Sequence, residues 1–303
     1  MEKSLTKSPN QIDEISIDVH GSNLNKLDFS FYELKSIQAS IFKSTFVHLK
    51  YINLSDNEIS SLETVSSDNE SANNSIFSDL HDLRSISLAS NKLTHINANT
   101  FRWNKNLNEI NLADNQLTDM AFNVFQGLKR LELIYLNKNR LTQIDSYLFN
   151  GLVELKWLYL DNNKLELIHS NTFASNKKLI ELNLSGNRLS LIQSGLFSGL
   201  ADLEDINLRF NQINQIPVDL FHSMIKIKSI DLSNNELCAL DPSQFNGLTE
   251  LTFVNLSSNK IVAFDKYLFY NLTKIKSIDL SYNINSDSIC FSSSSNNQLP
   301  IKW

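Results

Sequence analysis

The fold is decided by a stretch that recurs along most of the chain and reads LKWLYLDNNKL at residues 155–165. Its first, fourth and sixth positions are apolar, and its ninth and eleventh are asparagine and leucine. Units of this kind begin every 24 residues, at Leu83, Leu107, Leu131, Leu155, Leu179, Leu203, Ile227, Leu251 and Ile275. A fixed period of this length is the signature of a repeat protein, in which each unit packs against the next.

Two further units precede this run and set the limits of the repeat region. The first begins at Leu24 and has Tyr32 where the others have asparagine, and the second begins at Leu49. The step from residue 49 to residue 83 is ten residues longer than one period, and the polar run 63–75 is interpreted as an insertion on the outer side. The predicted parts are an N-terminal segment with a possible strand cap at 1–23, a solenoid of about eleven repeats at 24–283 and a C-terminal tail at 284–303.

The apolar spacing predicts one short strand in each unit. Leu158 and Leu160 alternate with Trp157 and Tyr159, and successive side chains of a strand point to opposite faces. Stacked units would therefore form a parallel sheet whose inward leucines make a continuous core. The asparagine at the following turn, such as Asn163, is predicted to satisfy backbone groups, because its amide both donates and accepts hydrogen bonds.

A phenylalanine also recurs in the outer half of the units, and we expect it to fill the convex side of the core. The set comprises Phe42, Phe77, Phe101, Phe125, Phe149, Phe173, Phe197, Phe221, Phe245 and Phe269. The rest of each unit is too short for a long helix, so the return path is predicted to be irregular or to contain short strands.

This pattern, L-x-x-L-x-L-x-x-N-x-L-x-x-I/L-x-x-x-x-F, resembles the "typical" 24-residue animal subclass of leucine-rich repeats. It is similar to the repeats of Toll-like receptors, small leucine-rich proteoglycans and chaoptin-like adhesion proteins. The resemblance implies the α/β repeat class and a right-handed solenoid with its parallel sheet on the concave face. Extracellular members usually carry cysteine clusters at both ends, whereas this chain has only Cys238 and Cys290.

Composition and motifs argue against catalysis and nucleic-acid binding. The net charge is −6 and the pI is about 5.5, so the chain lacks the basic footprint of a nucleic-acid binder. No catalytic, phosphate-binding or metal-binding motif is found, and the six histidines fall at different repeat positions. Asp161, Glu181 and Asp205 are interpreted as a solvated acidic face, on which we expect no strong pKa shift. We therefore predict no enzyme activity, no cofactor, no metal site and, since no 18-residue apolar run occurs, no membrane segment in this chain.

The outward strand positions are the ones free to bind a partner, because the inward ones are committed to the core. Trp157 and Tyr159 are outward neighbours on one strand and lie beside Leu133 and Tyr135 on the next. Exposed aromatic clusters are the usual anchors of protein interfaces, although cross-strand packing of large residues is the alternative. The predicted partner-binding residues are Leu133, Tyr135, Trp157, Tyr159, Asp161, Glu181, Asp205, Arg209 and Phe210.

The charge of the same face predicts the kind of partner. Its acidic positions are Asp28, Glu109, Asp161, Glu181, Asp205, Asp231 and Asp279, and its basic ones are Lys26 and Arg209. Complementary charge steers association, so we expect a protein ligand with exposed basic residues.

The sequence leaves two alternatives for the cellular compartment of the protein. Six N-x-S/T sequons occur, and Asn69 and Asn73 in the polar insertion are the best candidates for glycosylation. Three others, at Asn53, Asn183 and Asn255, arise from the repeat consensus itself. The sequence as given begins without an apolar leader. We expect an extracellular or cell-surface recognition module for adhesion, receptor or matrix roles, and the alternative is a cytoplasmic scaffold or regulatory subunit.

Overall fold

A computed structural model of the chain describes residues 24–37, 39–42, 46–62 and 75–283. These residues contain eleven three-residue strands, which form one parallel sheet in chain order. The strands are β1 (Lys26–Asp28), β2 (Tyr51–Asn53), β3 (Ser85–Ser87), β4 (Glu109–Asn111), β5 (Leu133–Tyr135), β6 (Trp157–Tyr159), β7 (Glu181–Asn183), β8 (Asp205–Asn207), β9 (Ser229–Asp231), β10 (Phe253–Asn255) and β11 (Ser277–Asp279). This stacked sheet confirms the predicted leucine-rich-repeat solenoid, while the predicted cap at 1–23, nearly all of the insertion and the tail at 284–303 lie outside the described residues.

The sheet register follows the repeat. Leu158 of β6 pairs with Ile134 of β5 on one side and with Leu182 of β7 on the other, so equivalent positions stand side by side. The pairing of Ile52 with Ile86 shows that the longer second unit leaves the register unchanged. Each outward residue of the sheet therefore has, as its neighbours, the residues one period before and one period after it.

The core lies between the sheet and the convex turns. The middle residue of each strand from β1 to β10 is buried, and so are the convex phenylalanines from Phe42 to Phe245. Neighbouring rings stack along the solenoid, with centroids 6.1 Å apart for Phe149 and Phe173. Burial of one such apolar side chain contributes about 1.5–3 kcal/mol, so the stability of each unit depends on its neighbours.

The regular 24-residue spacing of asparagine produces a hydrogen-bonded ladder beside the core. Asn163 Nδ2 donates to Leu136 O at 2.9 Å in the preceding unit and to Leu160 O at 3.0 Å in its own. Its Oδ1 accepts from Leu141 N at 3.0 Å. The same contacts recur through Asn283, which confirms the predicted role of the side chain in satisfying buried backbone groups.

Turns make up most of the convex side that the structure describes. One 3-10 helix spans Ala39–Phe42, and isolated parallel bridges join Gln143 to Leu167 and Leu191 to Gln215. Two units place a fully buried asparagine, Asn104 or Asn176, where the others have leucine, methionine or phenylalanine. Each donates to two carbonyl groups of the preceding unit, an arrangement that the repeat consensus does not predict. Within the described ranges, the structure contains no helix with the length and apolar character needed to cross a membrane.

Candidate protein-binding face

Two adjacent strands bring together the predicted aromatic cluster, here called the aromatic patch and consisting of Leu133, Tyr135, Trp157 and Tyr159. Leu133 pairs with Trp157, and Tyr135 pairs with Tyr159. The two tyrosine rings stack with centroids 4.9 Å apart and planes 8° from parallel. All four side chains are half-buried and point away from the core, so they form one continuous, partly apolar surface.

A charged residue at the edge of the patch supports Trp157. Lys156 Nζ lies 5.6 Å from the centroid of the indole ring, within the range of a cation–π contact. The same ammonium group pairs with Glu132 Oε2 of the preceding unit at 2.7 Å. The ion pair holds the lysine beside the ring, which restricts the motion of the indole.

An acidic strip, defined as Glu181, Asp205 and Asp231, continues the face beyond the patch. Tyr159 donates its phenolic hydrogen to Glu181 Oε2 at 2.9 Å, so the patch and the strip are joined by a hydrogen bond. Glu181 pairs with Asp205 in the sheet, and Asp231 lies on the next strand. The three carboxylates thus lie on three successive strands, and adjacent strands of a sheet are about 4.8 Å apart.

The carboxylates of this face do not all behave as freely solvated groups. Burial raises the pKa of Asp205, and the nearby charge of Asp231 raises it further. Burial also raises the pKa of Asp161, although Asn162 Nδ2 donates to its Oδ2 at 2.7 Å. Partial burial in the assembled sheet therefore sets the direction of both shifts.

Burial and the negative charges of this face also shift the pKa values of Tyr135 and Tyr159. Burial raises the pKa of Tyr159, and the hydrogen bond to Glu181 adds to the effect because that carboxylate disfavours a phenolate. Burial likewise raises the pKa of Tyr135, with the charges of Glu109 and Glu181 adding to it. Both rings therefore remain neutral hydrogen-bonding groups, suited to binding rather than to proton transfer.

Arg209 and Phe210 lie at the rim of the face, just after β8 ends at Asn207. Both side chains are exposed, and the Arg209 guanidinium carbon lies 4.3 Å from the centroid of the Phe210 ring. Phe210 has a φ of 53°, in the left-handed region. Most units hold Asp, Asn, Ser, Lys or Gly at this turn position, whereas a bulky residue there is uncommon and costs about 1–2 kcal/mol. Sequence reasoning found the residue but not this backbone conformation.

The consensus sequons also lie on the face. Asn183 Oδ1 accepts hydrogen bonds from the backbone and the hydroxyl of Ser185, at 3.1 and 2.8 Å, and Asn53 and Asn255 engage their own serines in the same way. The predicted glycosylation sites Asn69 and Asn73 lie outside the described residues. Cys238 is disulfide-bonded, a feature that the spacing of two cysteines does not predict.

The described part of the face carries aromatic rings, carboxylates and one guanidinium group. Among the residues that the structure describes, no group of three or more His, Cys, Asp or Glu side chains is arranged to hold a metal ion. The aromatic patch, the acidic strip and the rim pair Arg209 and Phe210 are all side-chain features of one sheet surface. They can make apolar contacts, accept hydrogen bonds and attract positive charge.

Comparisons with known protein families identify the repeat. Six copies of the family described as "BspA type Leucine rich repeat region" match residues 94–225. The family described as "Leucine rich repeat" matches residues 66–117 and 202–261. No curated protein matches the chain.

Solved structures with the same fold include chains of three complexes. A chain of the TLR13–ssRNA13 complex is 24% identical, with a TM-score of 0.73, and the match covers 85% of this chain and 40% of that one. A chain of the octameric complex of Latrophilin 3, Unc5D and FLRT2 is 20% identical, with a TM-score of 0.74, and the match covers 89% and 78%. A chain of the Toll–Spatzle complex, described for Drosophila, is 21% identical, with a TM-score of 0.61, and the match covers 84% and 42%. The protein thus spans about two fifths of the length of the first and third of these chains.

Proposed function

We propose that this chain, which is a leucine-rich-repeat protein, is a non-catalytic protein-binding module that holds its partner on the concave face. The observation that carries the proposal is the aromatic patch hydrogen-bonded to the acidic strip through Tyr159 and Glu181. The inward side chains of strands β1 to β10 are committed to the core, so only outward positions differ freely between units. This face concentrates large aromatic rings and carboxylates at outward positions, where folding does not require them.

The proposed contacts follow from the chemistry of the two parts. Trp157 and Tyr159 would bury their rings against apolar groups of the partner, and residues of these types contribute 2 kcal/mol or more when they are interface hot spots. Glu181 and Asp205 would face lysine or arginine side chains. Complementary charge at such a boundary gives orientation and a faster association rate.

We further propose that the module works in cell-surface or extracellular recognition, in an adhesion, receptor or matrix role. The disulfide at Cys238 supports an oxidising compartment, because structural disulfides are rare in the cytosol. Similar folds occur in chains of complexes described with protein or RNA partners, namely the Toll–Spatzle, FLRT2 and TLR13 complexes. Those partners are properties of those proteins, so the ligand of this chain is to be found by experiment.

The test is a binding screen of the purified chain against a panel of secreted proteins and receptor ectodomains. Each hit is titrated with the variant Trp157→Ala/Tyr159→Ala, and we expect its affinity to fall at least tenfold. The matched control is Tyr267→Ala/Tyr270→Ala, which removes two contacting exposed tyrosines, with ring centroids 5.9 Å apart, from the convex side. A hit that binds the patch variant as tightly as the unaltered chain would exclude the aromatic patch as the binding site.

A further inference from the structure

A cavity on the convex side has a chemistry unlike that of the concave face. It lies between the turns of the units that begin at Leu83 and Leu107 and has a volume of about 260 Å³. Its polar lining comes from Asn99, Arg102, Lys105, Asn123 and Gln126. A second cavity of about 130 Å³ shares Asn123 and Gln126, and exposed Phe122 and Tyr147 line it on the other side.

The position of Lys105 in the cavity depends on the glycine opposite it. A Cβ added to Gly127 would lie 2.8 Å from Lys105 Nζ, so the missing side chain makes room for the ammonium group. Gly151 and Gly199 hold the same place in later units, and a Cβ on either would meet nothing within 4 Å. The lysine also donates to Gln126 O at 3.1 Å, which fixes its Nζ at the cavity wall.

The two cations of the cavity face no anion in its lining. Lys178, Lys226 and Lys274 each form an ion pair of 2.6–2.7 Å with a carboxylate 24 residues earlier. In contrast, no Asp or Glu is among the described residues that line the cavity. Desolvation lowers the pKa of Lys105, and repulsion from the Arg102 charge lowers it further. A bound anion would relieve that repulsion.

We propose that this cavity is a binding site for a doubly charged oxyanion, phosphate or sulfate, either free or as the ester group of a larger ligand. Arg102 would present its planar fork of N–H donors and Lys105 its ammonium group. The amide groups of Asn99, Asn123 and Gln126 would donate to the remaining oxygens. Phe122 and Tyr147 lie where the organic part of an ester would extend, so they would contact a ring attached to the anion.

The first experiment is a calorimetric titration of the full chain with inorganic phosphate, inorganic sulfate and phenyl phosphate at constant ionic strength, with chloride as the reference anion. We expect saturable binding of phosphate and sulfate, which weakens at least tenfold in Arg102→Gln and in Lys105→Gln. The matched control is Lys178→Gln, which removes a convex cation that is already paired and should leave binding unchanged. Tighter binding of phenyl phosphate, lost in Tyr147→Ala, would identify an ester as the ligand, and equal affinity would identify the free ion.

A second measurement protects the test from misfolded variants. In the unaltered chain, phosphate should perturb the backbone amide resonances of residues 99–105 and 123–127 and leave those of the concave strands unperturbed. The proposal is overturned if phosphate and sulfate bind no better than chloride, or if the resonance changes lie elsewhere. It is also overturned if both folded variants keep the full affinity.

Discussion

The concave and convex surfaces follow the same 24-residue period but use charge in opposite ways. On the convex side and its flanks, lysines pair with carboxylates one period earlier, as in Lys178 with Glu154 and Lys226 with Asp202. On the concave sheet, Asp205 and Asp231 lie on neighbouring strands, and burial together with the charge of Asp231 raises the pKa of Asp205. The difference teaches that one period can place opposite charges side by side on one surface and like charges side by side on another. Unpaired charge, acidic on the sheet and basic in the convex cavity, therefore marks the surfaces that we propose bind ligands.

The largest expected effect is the difference in unfolding free energy between a substitution in the convex core and one on the concave surface. Phe173→Ala removes a fully buried ring of the phenylalanine spine and should lower the free energy of unfolding by about 3–5 kcal/mol. Trp157→Ala removes a larger side chain from the aromatic patch but should cost about 1 kcal/mol or less, because Trp157 is only half-buried and lies outside the core. Urea denaturation measures both values. Equal losses would mean that the patch belongs to the core and would break the comparison.

The asparagine ladder should show the next largest effect. Asn163→Ala leaves Leu136 O, Leu160 O and Leu141 N without their side-chain partner, and each unsatisfied buried group costs about 1–3 kcal/mol. We expect a total loss of about 3 kcal/mol in the free energy of unfolding. The control is Lys164→Ala, an exposed neighbour, with an expected change within about 0.5 kcal/mol. A small effect of the asparagine substitution would show that water replaces the amide at this site.

Phe210 should show opposite effects on stability and binding. Phe210→Asn replaces a bulky residue at φ 53° with a residue that tolerates the left-handed region, and Asn234 already holds that place in the next unit. We expect the free energy of unfolding to rise by about 1 kcal/mol and the affinity for a concave-face partner to fall.

The control for Phe210 is Tyr282→Asn, an exposed aromatic at the same turn position with a φ of 57°. It should give the same gain in unfolding free energy without loss of affinity. Thermal unfolding measures the change in stability of both variants, and titration with the partner measures the change in affinity. A less stable Phe210→Asn variant would show that the Phe210 ring stabilises the fold by packing, and this would contradict its assignment to partner binding.

The smallest expected effect depends on pH. Because burial and Asp231 raise the pKa of Asp205 in the folded chain above its ordinary value of 3.8, ionising Asp205 favours the unfolded state. The penalty is absent below pH 3.8 and complete above the raised pKa. Asp205→Asn should therefore increase the free energy of unfolding at pH 7, by less than about 1 kcal/mol for this half-exposed group, and the gain should vanish at low pH.

Asp279 lies on the same sheet, and its pKa is shifted in the direction opposite to that of Asp205. Hydrogen bonds from the backbone and hydroxyl of Ser281 lower the pKa of Asp279, so ionisation of this carboxyl favours the folded state. Asp279→Asn should destabilise the chain slightly at pH 7, with the loss disappearing as the pH falls below 3.8. Denaturation curves between pH 3 and pH 7 test both variants together. The same sign of change in both would contradict the assignment of an unrelieved charge to Asp205.

Much of the fold and part of the candidate site follow from local pattern. The period predicts the strands, the inward leucines, the asparagine ladder and the phenylalanine spine, because each unit meets only copies of itself. The juxtaposition of Tyr135 and Tyr159 is predicted for the same reason, since equal repeat positions are neighbours in the sheet. The adjacency of Glu181 and Asp205 follows in the same way.

Other features are decided only by the tertiary structure, since they depend on which side chains meet across units. The pKa of Asp205 reflects burial by its neighbours, and the room for Lys105 depends on a glycine 22 residues away. The φ of Phe210 is imposed by a turn that every unit must make, whatever residue stands there. The sequence by itself therefore determined the architecture, because the architecture depends on a period. The three-dimensional packing decided which groups carry unrelieved charge or strain, because those properties arise between units rather than within them.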